Sequence, residues 1–235
     1  MKKICLFVFA FVILFSLSLP NYTFAKDASS KGYTVEDYEK YLVNYDQSDA
    51  INAGVSTEYV QSAVLNAKKQ LKDFRALSRD DQELFVKSLF NVVPSEETII
   101  EEDTNNDSVL KSSLMAKASA SSKDYTVSYT KEAKLVGVTM VKYRVKVRYN
   151  VKSGKVKKIK SSAAYVVSSY NPLVRTGLSN KSAWVTSDNK AAVTGKFYYN
   201  IGPFKDFSVG IGTITLKTVG NKNGKRTYAK FWKEF

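Results

Sequence analysis

The feature that most constrains this chain is a change of period near residue 124. From Tyr125 onward, apolar and polar residues alternate one for one, most regularly in VKYRVKVRYN, residues 141–150. There Val141, Tyr143, Val145, Val147 and Tyr149 alternate with Lys142, Arg144, Lys146 and Arg148. In a strand, the first set lines one face and the four cations line the other. Period two predicts strands over 125–130, 134–150, 156–170, 182–187, 191–200, 207–219 and 226–234. Between them stand turn-forming residues: Ser153-Gly154, Asn171-Pro172, Asp188-Asn189, Gly202-Pro203 and Asn223-Gly224. About seven strands with short connections and no intervening helices predict an antiparallel all-β sandwich, or a partly open barrel.

Before that point the period is helical. Thr34 followed by Asp37 has the spacing of a capping box, and Tyr38, Tyr41, Leu42 and Tyr45 recur on one face. A second helix is predicted over 57–74, with Ser56 as its cap and Val60, Val64, Ala67, Leu71 and Phe74 as its stripe. Ser78 and Asp81 open a third, with an acidic first turn and Leu84, Phe85 and Leu89 as its apolar side. After Pro94 neither period persists, so residues 95–123 read as a linker, with a short helix over Ser108–Ala118 as an alternative. The fold class is therefore α+β, a small N-terminal helical unit (26–94) followed by a β-sandwich domain (124–235).

Residues 1–25 form the n-region, apolar run and small-residue exit of a secretory signal peptide, which places cleavage after Ala25; the alternative is an uncleaved anchor. Cys5, the sole cysteine, lies inside that run, and the chain contains no histidine. A secreted protein without disulfides fits the Gram-positive exterior, where folding rests on core burial alone.

These absences exclude a Ser-His-Asp triad, a Cys-His pair and a zinc site with nitrogen or sulfur ligands. Carboxylate chemistry has little material: the β region holds only Asp124, Glu132, Asp188, Asp206 and Glu234. Ser128 with Lys131 and Ser187 with Lys190 match a Ser-x-x-Lys spacing, but on strands and turns rather than one helical turn, and read as surface residues. Asp103-x-Asn105-x-Asp107 opens like a calcium loop, but Ser108 replaces its glycine and Leu114 its closing carboxylate. The reading is non-enzymatic and calls for no metal and no cofactor.

Charge divides where the period does. Residues 26–122 carry 11 Lys+Arg and 17 Asp+Glu, a net −6, whereas residues 123–235 carry 23 and 5, a net +18. Nine cations fall within residues 142–160. Neighbours two apart on a strand repel by only about 0.6 kcal/mol in water, so the row is tolerable as ordinary wet surface. Read functionally, a cationic secreted module attracts polyanions, namely anionic cell-wall polymers such as teichoic acids, or a membrane surface. Lys142, Arg144, Lys146, Arg148, Lys155, Lys157 and Lys158 are the candidate anion-binding residues. Nucleic acid is physically compatible with cations beside aromatics, but the compartment argues against it.

Trp184, Phe197, Tyr198, Tyr199, Phe207, Phe231 and Trp232 read as core or strand-pair residues. The runner-up function is a membrane-active antibacterial protein, released from its acidic half by a cut in the linker. Its basis is FSVGIGTITLKTVG, residues 207–220, which reads either as an interior sandwich strand with glycines at close sheet contacts or as a hairpin able to insert in a membrane.

Overall fold

The computed structural model describes residues 33–89, 122–202 and 209–234. The expected signal peptide, nearly all of the expected linker with its calcium-like spacing and alternative helix, and Phe207 lie outside the described residues.

Helix α1 (Val35–Asn44) starts at the expected capping box: Thr34 and Asp37 each accept the other's backbone N–H in their side chains. A second such box, Asp46 with Asp49, starts the short α2 (Gln47–Asn52), which periodicity was too brief to reveal. Helix α3 (Val60–Arg75) follows a 3-10 turn at Thr57–Tyr59, and α4 (Arg79–Ser88) is capped by Ser78. Tyr38, Phe74 and Phe85 meet ring to ring at 4.8–5.0 Å and form the centre of this helical group. Leu84, assigned above to the buried side of α4, is 54% exposed; Val86 is buried instead. Ser56 does not cap a helix, because its side chain is engaged by the sheet.

The β region forms two antiparallel sheets. The first comprises β1 (Lys123–Leu135), β2 (Val138–Lys152) and β3 (Lys155–Ser169), in that order. The second comprises β4 (Val174–Val185), β5 (Ala191–Ile201), β6 (Val209–Gly220) and β7 (Arg226–Glu234), again in order. All neighbours within each sheet are antiparallel, the arrangement that short turns between consecutive strands favour. At β1–β2 the turn is Val136-Gly137, and at β2–β3 it is Ser153-Gly154; all four residues have positive φ, the geometry that suits a two-residue hairpin. The first turn interrupts what period two predicts as one strand from 134, since valine does not announce a turn. Strand β4 begins eight residues before its predicted start of 182, because GLSNK shows no alternation.

The sheets stack with Tyr143, Val145, Val147 and Tyr149 of β2 facing inward, together with Phe197 and Tyr199 of β5 and Ile214 and Leu216 of β6, all fully buried. Tyr143 and Phe197 cross the interface with ring centroids 4.8 Å apart. Two buried phenols find partners: Tyr143 donates to Thr176 Oγ1 (2.9 Å), which donates to the Tyr198 carbonyl, and Tyr149 donates to the Asn221 carbonyl (2.7 Å), whereas the buried hydroxyls of Ser169, Tyr199 and Thr215 have no partner among the described residues. At Gly220 a Cβ would come within 2.8 Å of Val127 Cγ2, so the glycine is required by sheet contact. Strand β6 is thus an interior strand, hydrogen-bonded on both sides.

The acidic helices and the basic sheets share one core, and the chain from Tyr33 onward is one compact unit. Tyr38 and Tyr45 donate to the carbonyls of Tyr170 (3.1 Å) and Ser169 (2.9 Å), and Tyr170 donates back to Ala63 (3.0 Å). The segment 53–56 also covers two sheet edges. Ser56 exchanges hydrogen bonds with the backbone of Val166 on β3, and Thr176 on β4 donates to the Ala53 carbonyl at 3.2 Å. Those edge groups would otherwise be open to pairing with another chain. Between these contacts Gly54 sits at φ +92°, where a Cβ would fall 1.5 Å from the Thr176 carbonyl oxygen. The reversal of charge near residue 123 marks no break in packing.

Candidate anion-binding surface

Lys142, Arg144, Lys146 and Arg148 all lie on the outer face of the first sheet, as alternation requires, but they are not equivalent. Lys142 is half-buried beside α3, within a cleft of about 270 Å³ lined by Gln70, Glu132 and Thr139. It forms an ion pair with Glu132, which also faces Lys134 at 3.5 Å and accepts from Thr139 Oγ1 at 3.1 Å. Burial pushes the Glu132 carboxyl up, yet the hydrogen bond and charge of Lys142, with help from Lys134 and Thr139, outweigh it and hold the group below its ordinary value. Lys142 therefore serves as the counter-ion of a half-buried carboxylate. Arg144 donates to Thr130 Oγ1 (2.9 Å) and to the Tyr59 hydroxyl (3.4 Å), linking β2 to β1 and to the turn before α3. Lys146 is half-buried and close enough to Tyr165 to bias its phenol. Arg148, exposed, reaches Asp124 at 3.1 Å.

The other three candidates stand at the open end of the same face. Lys155, Lys157 and Lys158 are exposed, as are Lys152 and Lys160. Two bulges in β3 concentrate them. Asn150 pairs with Lys158 and Val151 with Val156, which leaves Lys157 as an extra residue; Arg148 pairs with Ser161 and Tyr149 with Ile159, which leaves Lys160. The cause is legible in VKKIK, where Val156 and Ile159 stand three apart. Strict alternation would turn one of them outward; the bulge at Lys157 restores both to the inner face, and the bulge at Lys160 then brings Ala164 and Val166 onto the same face as Ile159, each adding a lysine to the outer side. Arg148 and the five lysines share this end of the face with Asp124, whose carboxyl the Asn150 hydrogen bond, with Lys160 and Arg148, holds below its ordinary value.

The remaining described carboxylates of the β region are each paired: Asp188 with Lys190 at 2.8 Å and Glu234 with Lys196 at 3.8 Å. Ser128 lies on the outer face of β1 and Lys131 is buried on the inner one, over the Phe231 ring, so this Ser-x-x-Lys pair points in opposite directions. Lys190 of the other pair is engaged by Asp188.

The described aromatics divide between the two expected roles, core and strand pair. Phe197 and Tyr199 are buried, and Phe231 and Trp232 are half-buried, but Trp184 and Tyr198 are 38% and 39% exposed. Alternation within KFYYN gives the signal, since the tyrosine between two inward rings must face outward. In comparisons with known protein families, curated proteins and solved structures, nothing matches this chain.

Proposed function

We propose that this is a secreted, non-enzymatic protein that binds anionic polymers of the cell envelope through the open end of its first sheet. The observation that carries the reading is the exposed hairpin cluster of Arg148, Lys152, Lys155, Lys157, Lys158 and Lys160, in which Arg148 pairs with Asp124. A phosphate-bearing chain lying along this end meets five exposed lysines beside the Arg148–Asp124 pair, and the attraction is screened by salt. The other half of the cationic row is committed to Glu132, Thr130 and Tyr59 and supports the fold.

The membrane-active alternative loses its main support, because β6 is paired on both sides rather than available as a hairpin. Release by a linker cut is likewise disfavoured by the hydrogen bonds that tie the helices to β3 and β4. The test is co-sedimentation of the purified protein with Gram-positive walls before and after teichoic acid is removed. Binding that falls with added salt, with teichoic acid removal and with Lys155→Gln/Lys157→Gln/Lys158→Gln supports the reading. Binding indifferent to all three overturns it.

A further inference from the structure

The outer face of the second sheet presents a different surface. Register places Trp184, Ala192, Val219 and Tyr228 in one row across the four strands, and Ser182, Thr194, Lys217 and Lys230 in the next. A third row runs Asn180, Lys196, Thr215 and Trp232. Among the described residues, the helices reach β4 only near its other end, where Arg175 donates to the Asn52 carbonyl of α2 at 3.2 Å. The Lys217 ammonium lies 5.3 Å from the centre of the Trp184 ring and 5.8 Å from that of Tyr228, and the Lys230 ammonium 5.9 Å from that of Trp232. Tyr228 is 43% exposed. Both tryptophans of the chain belong to this one face. Thr215, between Lys196 and Trp232, is fully buried by its neighbours, and its hydroxyl has no hydrogen-bond partner among the described residues.

Rings and ammonium groups at such spacing suit a ligand that is apolar on its faces and anionic at its edges. A sugar ring offers C–H groups to an aromatic face, its hydroxyls can reach threonines between the strands, and a carboxylate or phosphate on it meets the lysines. We propose that this face binds an anionic polysaccharide, with Trp184, Tyr228 and Trp232 stacking on sugar rings and Lys217 and Lys230 pairing with its acidic groups. Rings and cations in adjacent rows across the four strands favour a polymer lying across the strands. The face offers neither the deep cationic groove that follows a nucleic-acid backbone nor the protruding aliphatic side chains that enter a bilayer. The inference deepens the envelope-polymer reading, on which it rests for the ligand's charge, but it assigns a separate face and a requirement for sugar.

Three probes separate charge from sugar: polygalacturonate carries both, polyphosphate only charge, and dextran only sugar. Because Trp184 and Trp232 are the sole tryptophans, intrinsic fluorescence reports on this face alone. Polygalacturonate is expected to shift the tryptophan emission, and Trp184→Ala/Tyr228→Ala to weaken its binding at least tenfold while leaving the affinity for polyphosphate within twofold. Both residues are exposed, and an unchanged melting temperature establishes that the variant is folded. The proposal is overturned if polygalacturonate leaves the emission unchanged, if the double variant loses both probes equally, or if single-stranded DNA or anionic vesicles bind more tightly and depend on the same rings. Failure of polyphosphate to bind, with ring-dependent polygalacturonate binding intact, would sink the hairpin site alone.

Discussion

On the outer face of the first sheet, cations run from Lys142 beside α3 to the lysines of the β2–β3 hairpin, and their state changes along the way. Near the helices they meet a carboxylate, hydroxyls and a tyrosine; at the hairpin, five exposed lysines stand beside the Arg148–Asp124 pair. On the outer face of the second sheet, Lys217 and Lys230 lie over aromatic rings. Net charge is common to both faces, whereas the partners of each cation differ. Function is therefore better read from partners than from a count of +18.

The segment 53–56 covers an edge of each sheet, and its loss should have the largest effect. Gly54 joins the helices to the edge of β4 at a left-handed φ, with no room for a Cβ against Thr176. Gly54→Val is expected to cost about 3 kcal/mol or more, because it combines backbone strain with a clash against a strand. For a chain of this size that lowers the melting temperature by roughly 10 °C. Exposed β3 and β4 edges should then pair between molecules, so light scattering during the melt is expected to rise. A melt within 2 °C of the parent, an allowance of about 1 kcal/mol, would mean that the helices do not depend on this contact.

The next test sets two lysines of the first sheet against each other. Lys142→Met leaves Glu132 half-buried without its main counter-ion and is expected to cost about 2 kcal/mol in urea unfolding. Lys158→Met should stay within about 0.5 kcal/mol. The pH dependence follows from Glu132, whose folded pKa is depressed. Its stabilisation is present above the unfolded carboxylate value, about 4.3, and is lost as pH falls through the lower folded value. The parent should therefore exceed Glu132→Gln in stability at neutral pH, and the gap should close on acidification below about pH 4. A constant gap would remove Lys142 from its structural role.

Most of the fold was legible in this way: seven strands, the inward set of β2 and the α1 cap all follow from period and capping chemistry. What escaped the sequence was long-range. Ser56 has the composition of a helix cap, and only the folded chain shows that a strand edge takes its side chain. Arg144 and Arg148 look identical in a row of four, and the difference is set by where α3 happens to lie. The bulges at Lys157 and Lys160 were legible in principle, because Val156 and Ile159, and then Ile159 and Ala164, stand an odd number of residues apart and cannot share a strand face without one. Trp184 was not, since its ring belongs to the outer face only once the β4–β5 register is known.

The smallest expected effect separates the two hairpin turns of the first sheet. Val136 and Ser153 both occupy the first position with positive φ, at 47° and 53°. A β-branched side chain in the left-handed region is strained by about 1–2 kcal/mol, whereas asparagine accepts it readily. Val136 is half-buried against the core, however, so Val136→Asn surrenders some apolar contact. The net gain should be about 0.5 kcal/mol. Ser153 is exposed and polar, and Ser153→Asn should change stability by no more than a few tenths of a kcal/mol. Paired urea titrations with unchanged slopes would resolve the two. A gain at Ser153 exceeding that at Val136 would mean that the helix-side turn is relieved by its packing, so that the covered end of the sheet tolerates strain that the open end does not.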